Sequence, residues 1–237
     1  MVEIPLGNDF LEMWQELLFF AKKAPALWTL IGAHMVALHG WQAGRGQPRV
    51  SRDADILVNV RMASGGTQKM SQMLISRGYA LDGVSPEGIG HRFVHGRVRI
   101  DILGPDGLGP RTSLQTVQGA HTVAVPGGSQ ALKRTLPMEV RAGKSSGVTP
   151  VPDLLGAILI KARAISVDDE PQAQRGDLAF LLSLVGDPDP MAAEITSTER
   201  GWLRRHSEFA DGASPFYAGV RSAADAATVF RRIAAIG

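Results

Sequence analysis

The chain has 237 residues, no cysteine, an apolar share of 44% and a formal net charge of +2. That length can bury one large core or two smaller ones, and the lack of cysteine excludes disulfides, thiolate metal sites and a cysteine nucleophile, so any metal must take oxygen or imidazole ligands. The composition fits neither disorder nor a fibrous repeat, no segment is long and apolar enough to span a membrane, and Met1 to Phe10 lacks the basic start and apolar run of a signal peptide, so a cytoplasmic globular protein is expected.

Residues 8–23 carry apolar side chains at Phe10, Leu11, Trp14, Leu17, Leu18 and Ala21, the spacing of one helix face, with Asn8 and Asp9 as caps. After Pro25, the apolar run 27–31 stops at Gly32, which predicts a buried strand turning sharply into a helix over 33–41. A Gly, Arg and Pro loop leads through Val50 to a strand over 53–60, with Asp55, Leu57 and Asn59 on one face and Ala54, Ile56, Val58 and Val60 on the other. A surface helix over 67–77 packs Met70, Met73 and Leu74 inward as core. Runs 91–94 and 97–103 read as a hairpin turning at His95-Gly96, and the second run bears Asp101. Residues 104–151 are dense in Gly, Pro, Ser and Thr, with short strand-like pieces. Helical periodicity returns over 154–167, 174–185, 190–210 and 223–236. The expected organisation is an α/β core over 1–147 and a helical domain over 148–237.

Asp53 and Asp55 are two positions apart, so a strand projects both carboxylates from one face, a ready ligand pair for a hard cation. Asp101 interrupts an apolar strand, where a buried charge is costly unless a cation or partner compensates it. Three such acids suit two Mg²⁺ (or Mn²⁺) ions clamping an in-line phosphoryl displacement. A glycine at a strand-to-helix turn lets backbone N–H groups approach a phosphate at the positive end of the helix. Other candidates are weaker. Ala142-Gly143-Lys144-Ser145 ends like a P-loop but has Met138 in place of the first glycine, and His34 with His39, or His91 with His95, lacks the spacing or the third ligand of a zinc site. Basic runs at 45–52, 92–99 and 200–206 can hold a polyphosphate or RNA backbone, or can be solvated surface.

The order glycine turn, helix, then Arg49-Val50-Ser51-Arg52-Asp53-Ala54-Asp55 resembles the polymerase-beta-type nucleotidyltransferase superfamily, and within it the AbiEii-like toxins of type IV toxin-antitoxin systems. Lys161 and Arg163 match that group's lysine-bearing helix, and Asp177 matches the acid of the helix after it. The resemblance implies a polymerase-beta-like mixed-sheet core with a C-terminal helical domain. It also implies Mg²⁺ on Asp53, Asp55 and Asp101, with Asp101 acting on or near the attacking hydroxyl. The triphosphate of an NTP would lie on the Gly32 and Ala33 amides. Arg49 and Ser51 would contact phosphate or brace the carboxylates. Lys161 would touch the triphosphate or be a solvated helix lysine, and Asp177 would join the nucleotide site or pair with Lys161 or Arg163. The acceptor implied is RNA, specifically the tRNA acceptor end, with a cognate antitoxin encoded separately. The alternatives are nucleotidylation of a small molecule such as an aminoglycoside or of a protein hydroxyl, and a nucleotide-binding module whose chemistry has lapsed.

Overall fold

The computed structural model describes residues 1–5, 8–46, 49, 51–169 and 171–236, and the side chains of residues 8–10 fall outside that description, as do the expected caps Asn8 and Asp9 and the loop residue Val50. In chain order the elements are β1 (Val2–Glu3), α1 (Asn8–Lys23), β2 (Trp28–Ile31), α2 (Gly32–Gln42), β3 (Asp53–Val58), α3 (Gly66–Ser76), β4 (Ala80–Leu81), β5 (Arg92–His95) and β6 (Val98–Pro105). Then come β7 (Gln115–Val117), β8 (Ala120–His121), β9 (Ala124–Val125), α4 (Gly128–Lys133), β10 (Thr135–Ala142) and β11 (Ser145–Pro152). Helices α5 (Leu154–Ile165), α6 (Gln172–Leu182), α7 (Asp189–Glu194), α8 (Ser197–Arg204) and α9 (Ala223–Ala234) finish the chain, with short 3₁₀ turns at Ser207–Ala210 and Pro215–Tyr217.

The central sheet runs β2-β3-β6-β5-β4, with β9 beside the end of β6. It is mixed: β3 and β6 are parallel, and the β2/β3, β5/β6 and β4/β5 pairs are antiparallel. Ala54, Ile56 and Val58 of β3 and Ile100 and Ile102 of β6 are fully buried, as are Trp14, Leu17 and Phe20 of α1, so the alternate positions carrying Asp53, Asp55 and Asp101 face away from that layer. A second sheet, β1-β10-β11, holds the sequence that resembled a P-loop: Gly143, at φ +62°, turns a hairpin whose strands pair from Thr135↔Pro152 to Ala142↔Ser145. After Pro152 the described chain is helical, so the molecule is a mixed α/β core followed by a C-terminal helical region, as expected.

Three local expectations change. The β5/β6 hairpin turns on Gly96-Arg97, with His95 opposite Val98 and Gly96 at φ +57°, one residue later than expected, because glycine takes the first corner of the turn. The single helix expected over 190–210 is divided into α7 and α8, because Thr196 and Glu199 form a reciprocal capping box that starts a new helix. Lys161 is not a solvated lysine, since α5 is enclosed on nearly every side and leaves the residue 4% exposed.

Candidate active site

Register brings the acids together. β3 and β6 place Asp53 beside Arg99 and Asp55 beside Asp101, and β5 places Arg92 directly opposite Asp101. Paired residues on neighbouring strands project from the same face, so Asp55, Asp101 and Arg92 form one row across three strands. Arg92 grips Asp101 through two parallel hydrogen bonds, Nε to Oδ1 and Nη2 to Oδ2, both 2.9 Å, and Nη2 also donates to Asp53 Oδ2 at 3.3 Å. His91 Nε2 stands 3.8 Å from Asp101 Oδ2, and Arg99 Nη1 3.8 Å from Asp53 Oδ1. Asp53 Oδ1 is itself buried and accepts no hydrogen bond.

Asp55 is treated differently. Its carboxyl lies against Gly32, the first residue of α2, so closely that a Cβ at position 32 would fall 1.8 Å from Oδ2. Gly32 also sits at φ +72°, a left-handed conformation that other residues adopt only with strain. The glycine expected to admit a phosphate is therefore also the residue that makes room for a carboxyl. No hydrogen bond from a described residue reaches Asp55, and burial first, then the neighbouring Asp101, push the group up to about 7, against the pull of Lys161 and Arg49. The free N–H groups of the first turn of α2, beginning at Gly32 and Ala33, have no side-chain cap and no acid of their own helix beside them.

A second cluster flanks the first. Asp177 of α6, wholly buried, accepts from Arg49 Nε at 3.1 Å and Nη2 at 3.0 Å and pairs with Lys161 Nζ at 2.8 Å. Lys161 donates as well to Gln174 Oε1 at 2.8 Å. Arg49 is thus held by a carboxylate 128 residues away, rather than reaching freely toward a phosphate. Ser51 braces the start of β3 through weak contacts, from its hydroxyl to the Asp53 carbonyl at 3.3 Å and from the Asp53 amide to its hydroxyl at 3.4 Å. Arg163 is not brought to the cluster. It lies over the Trp202 ring, 5.1 Å from the centroid, because two positions along a helix turn it away from Lys161.

Sequence reasoning tied neither of two further residues to the site. Arg92 was seen only as part of a basic run, although a correct hairpin register puts it on Asp101. His34, buried in α2, hydrogen-bonds the Ser51 backbone and props the loop entering β3; burial above all lowers it to about 4, so it stays neutral at physiological pH. His39 likewise contacts the Pro152 carbonyl at 2.9 Å and is lowered by burial to about 4.

Among the described residues no group of three or more His, Cys, Asp or Glu side chains is arranged to hold a metal ion. The carboxylates explain why. Asp53 and Asp55 fit a hard divalent cation, since one has a buried oxygen without a donor and the other fills a cradle that a Cβ at position 32 would close. Asp101, expected as a third ligand, has both oxygens taken by Arg92.

No family model and no curated protein matches the chain. Among solved structures, a solution structure of the antibiotic-resistance factor ANT(2'')-Ia is similar over 84% of this chain and 94% of that one, at 16% identity and a TM-score of 0.46. A crystal structure of ANT(2'')-Ia in complex with adenylyl-2''-tobramycin is similar over 83% and 98%, at 14% identity and 0.46. An antigenic nucleotidyltransferase-like protein from Paracoccidioides brasiliensis is similar over 95% of each chain, at 9% identity and 0.48. The side chains described above, not these distant likenesses, carry the functional conclusion.

Proposed function

We propose that the chain is a divalent-cation-dependent nucleotidyltransferase that moves a nucleoside monophosphate from an NTP to a hydroxyl of a small molecule, with aminoglycosides as the acceptor class to try first. The observation that carries this reading is the pair Asp53 and Asp55, set on one strand face against a glycine turn at the open N-terminus of α2. Asp53 and Asp55 would hold Mg²⁺ or Mn²⁺, which when bound neutralises phosphate charge and polarises the phosphoryl group. The Gly32 and Ala33 amides offer the triphosphate uncapped donors at the positive end of a helix. In the transfer, the acceptor oxygen bonds to the α-phosphorus, the bond to the β-phosphate bridging oxygen breaks, pyrophosphate leaves, and the acceptor hydroxyl gives up its proton to solvent. Lys161 and Arg49, both fixed on Asp177, contribute positive field toward Asp55, and positioning supplies most of the rate.

A small acceptor is favoured over RNA because four arginines of the basic runs are engaged by the protein itself. Arg49 is held by Asp177 and Arg92 by Asp101. Arg200 donates to the Ile233 and Ala192 carbonyls, and Arg204 to those of Ala234 and Ala235. A strand of RNA needs such groups free to replace its counterions.

The purified chain with Mg²⁺ and each NTP labelled at the α-phosphate, offered an aminoglycoside panel, total protein and total RNA, tests the proposal. Label on a small acceptor that vanishes in Asp55→Asn supports it. Label in RNA, together with growth arrest on expression, replaces the acceptor with the tRNA-directed toxin reading; label in protein replaces it with a protein hydroxyl. No labelled product with any acceptor refutes the enzyme and leaves a binding module.

A further inference from the structure

Two strands, β3 and β6, bear the acids of this site, and one of the acids is already matched by a cation from the neighbouring strand β5. We infer that the chain takes a single divalent cation, on Asp53 and Asp55, and that the Arg92 guanidinium is a built-in second positive charge bridging Asp101 to Asp53. The inference rests on the reading of Asp53 and Asp55 as cation ligands and deepens it.

The geometry leaves little room for another arrangement. Arg92 and Asp101 are directly paired across β5 and β6, so the reach between them is short and fixed by the sheet. The fork uses both Asp101 oxygens, and its Nη2 also takes Asp53 Oδ2. A bidentate guanidinium–carboxylate pair is among the strongest hydrogen-bonded contacts a protein makes, and here one partner is only 5% exposed. What remains without a hydrogen bond is Asp53 Oδ1, with Arg99 Nη1 3.8 Å away, and the Asp55 carboxyl in the Gly32 cradle. Those oxygens lie on one strand, at positions 53 and 55, and can serve one ion. The surrounding charge agrees. Asp53, Asp55, Asp101 and Asp177 stand against Arg49, Arg92, Arg99 and Lys161, so one divalent ion already leaves the cluster positive and a second would be repelled. Arg92 is thereby a positioning residue: it holds Asp101 and one oxygen of Asp53 in place and supplies a fixed charge.

Titration of the full-length chain with Mn²⁺ at pH 7.5 without nucleotide, with free Mn²⁺ counted by electron paramagnetic resonance, tests this. The expected count is one ion per chain for the wild type, two for Arg92→Gln, and one for Arg92→Lys, which keeps the charge without the fork. The first ion should also bind about tenfold more tightly in Arg92→Gln, because a nearby positive charge is gone. Two ions on the wild type, or one at unchanged affinity on a folded Arg92→Gln, would overturn the inference. No ion on the wild type would overturn the reading of Asp53 and Asp55 on which it rests. The wild-type count decides even where Arg92→Gln does not fold.

Discussion

Asp177 is wholly enclosed by protein and Asp55 partly so, and the fold treats the two carboxyls oppositely. Asp177 lies between α5 and α6 with Lys161 and Arg49 in direct contact, so its charge is compensated on every side the chain can offer. Asp55 sits in the adjacent strand with no hydrogen bond from a described residue and is pushed up to about 7 by burial and by Asp101. A compensated buried charge belongs to the architecture; an uncompensated one costs stability and persists where something outside the chain is meant to meet it.

The contrast can be broken most severely at Asp177. Asp177→Ala leaves Lys161 and Arg49 without their carboxylate, and breaking a buried pair costs about 3–5 kcal/mol. For a chain of this length the expected fall in Tm is roughly 8–15 °C; a fall within a few degrees would show that the cluster is not structural. Gly32→Ala attacks the other side. Its Cβ must displace the Asp55 carboxyl and its backbone must hold φ +72°, so transfer activity should drop on the order of 100-fold. Steady-state kinetics at wild-type levels would contradict the cradle.

Two neutral histidines sharpen the comparison through pH. His34 and His39 are each lowered to about 4 from 6.5, so the unfolded chain binds more protons between those values. The stability they contribute is full above about 6.5 and is lost as pH falls toward 4, roughly 2 kcal/mol each by pH 5. Asp55 acts in the opposite sense, because its raised value makes the folded chain the better proton binder from about 4 to 7. Urea midpoints of Asp55→Asn at pH 5 and 7.5 isolate the histidine trend, which should be a clear loss at pH 5; equal midpoints would refute it. The smallest effect is expected at Ser51→Ala, whose hydroxyl contacts are 3.3 and 3.4 Å, with a change of about 0.5 kcal/mol or less by denaturant titration.

Local pattern made much of this legible. The α1 helix begins and ends at the expected residues, the Gly32 turn stands between β2 and α2, and the two-residue spacing of Asp53 and Asp55 puts both on the face away from Ala54 and Ile56. The partner of Asp101 turned on a single residue. A hairpin turning at His95-Gly96 sets Arg92 across from Arg99, whereas the turn at Gly96-Arg97 sets it across from Asp101. Apolar alternation fixes which face a residue takes, but the turn fixes which neighbour it meets. Arg163 could have been dropped from the periodicity of α5 alone, since it cannot share a face with Lys161. The union of Arg49 with Asp177 and of His34 with the Ser51 backbone depends on packing between elements distant in the chain or bent by a loop, which no periodicity reports.

Thermal melting of the wild type and Asp55→Asn at pH 8, with and without Mn²⁺, tests most directly whether Asp55 is a charge kept for a cation. Without Mn²⁺ the variant should melt above the wild type by several degrees, because at pH 8 the charged form of Asp55 costs the folded state stability. With Mn²⁺ the wild type should gain stability and the variant should not. A variant that melts below the wild type, or an equal response of both proteins to Mn²⁺, would contradict the account.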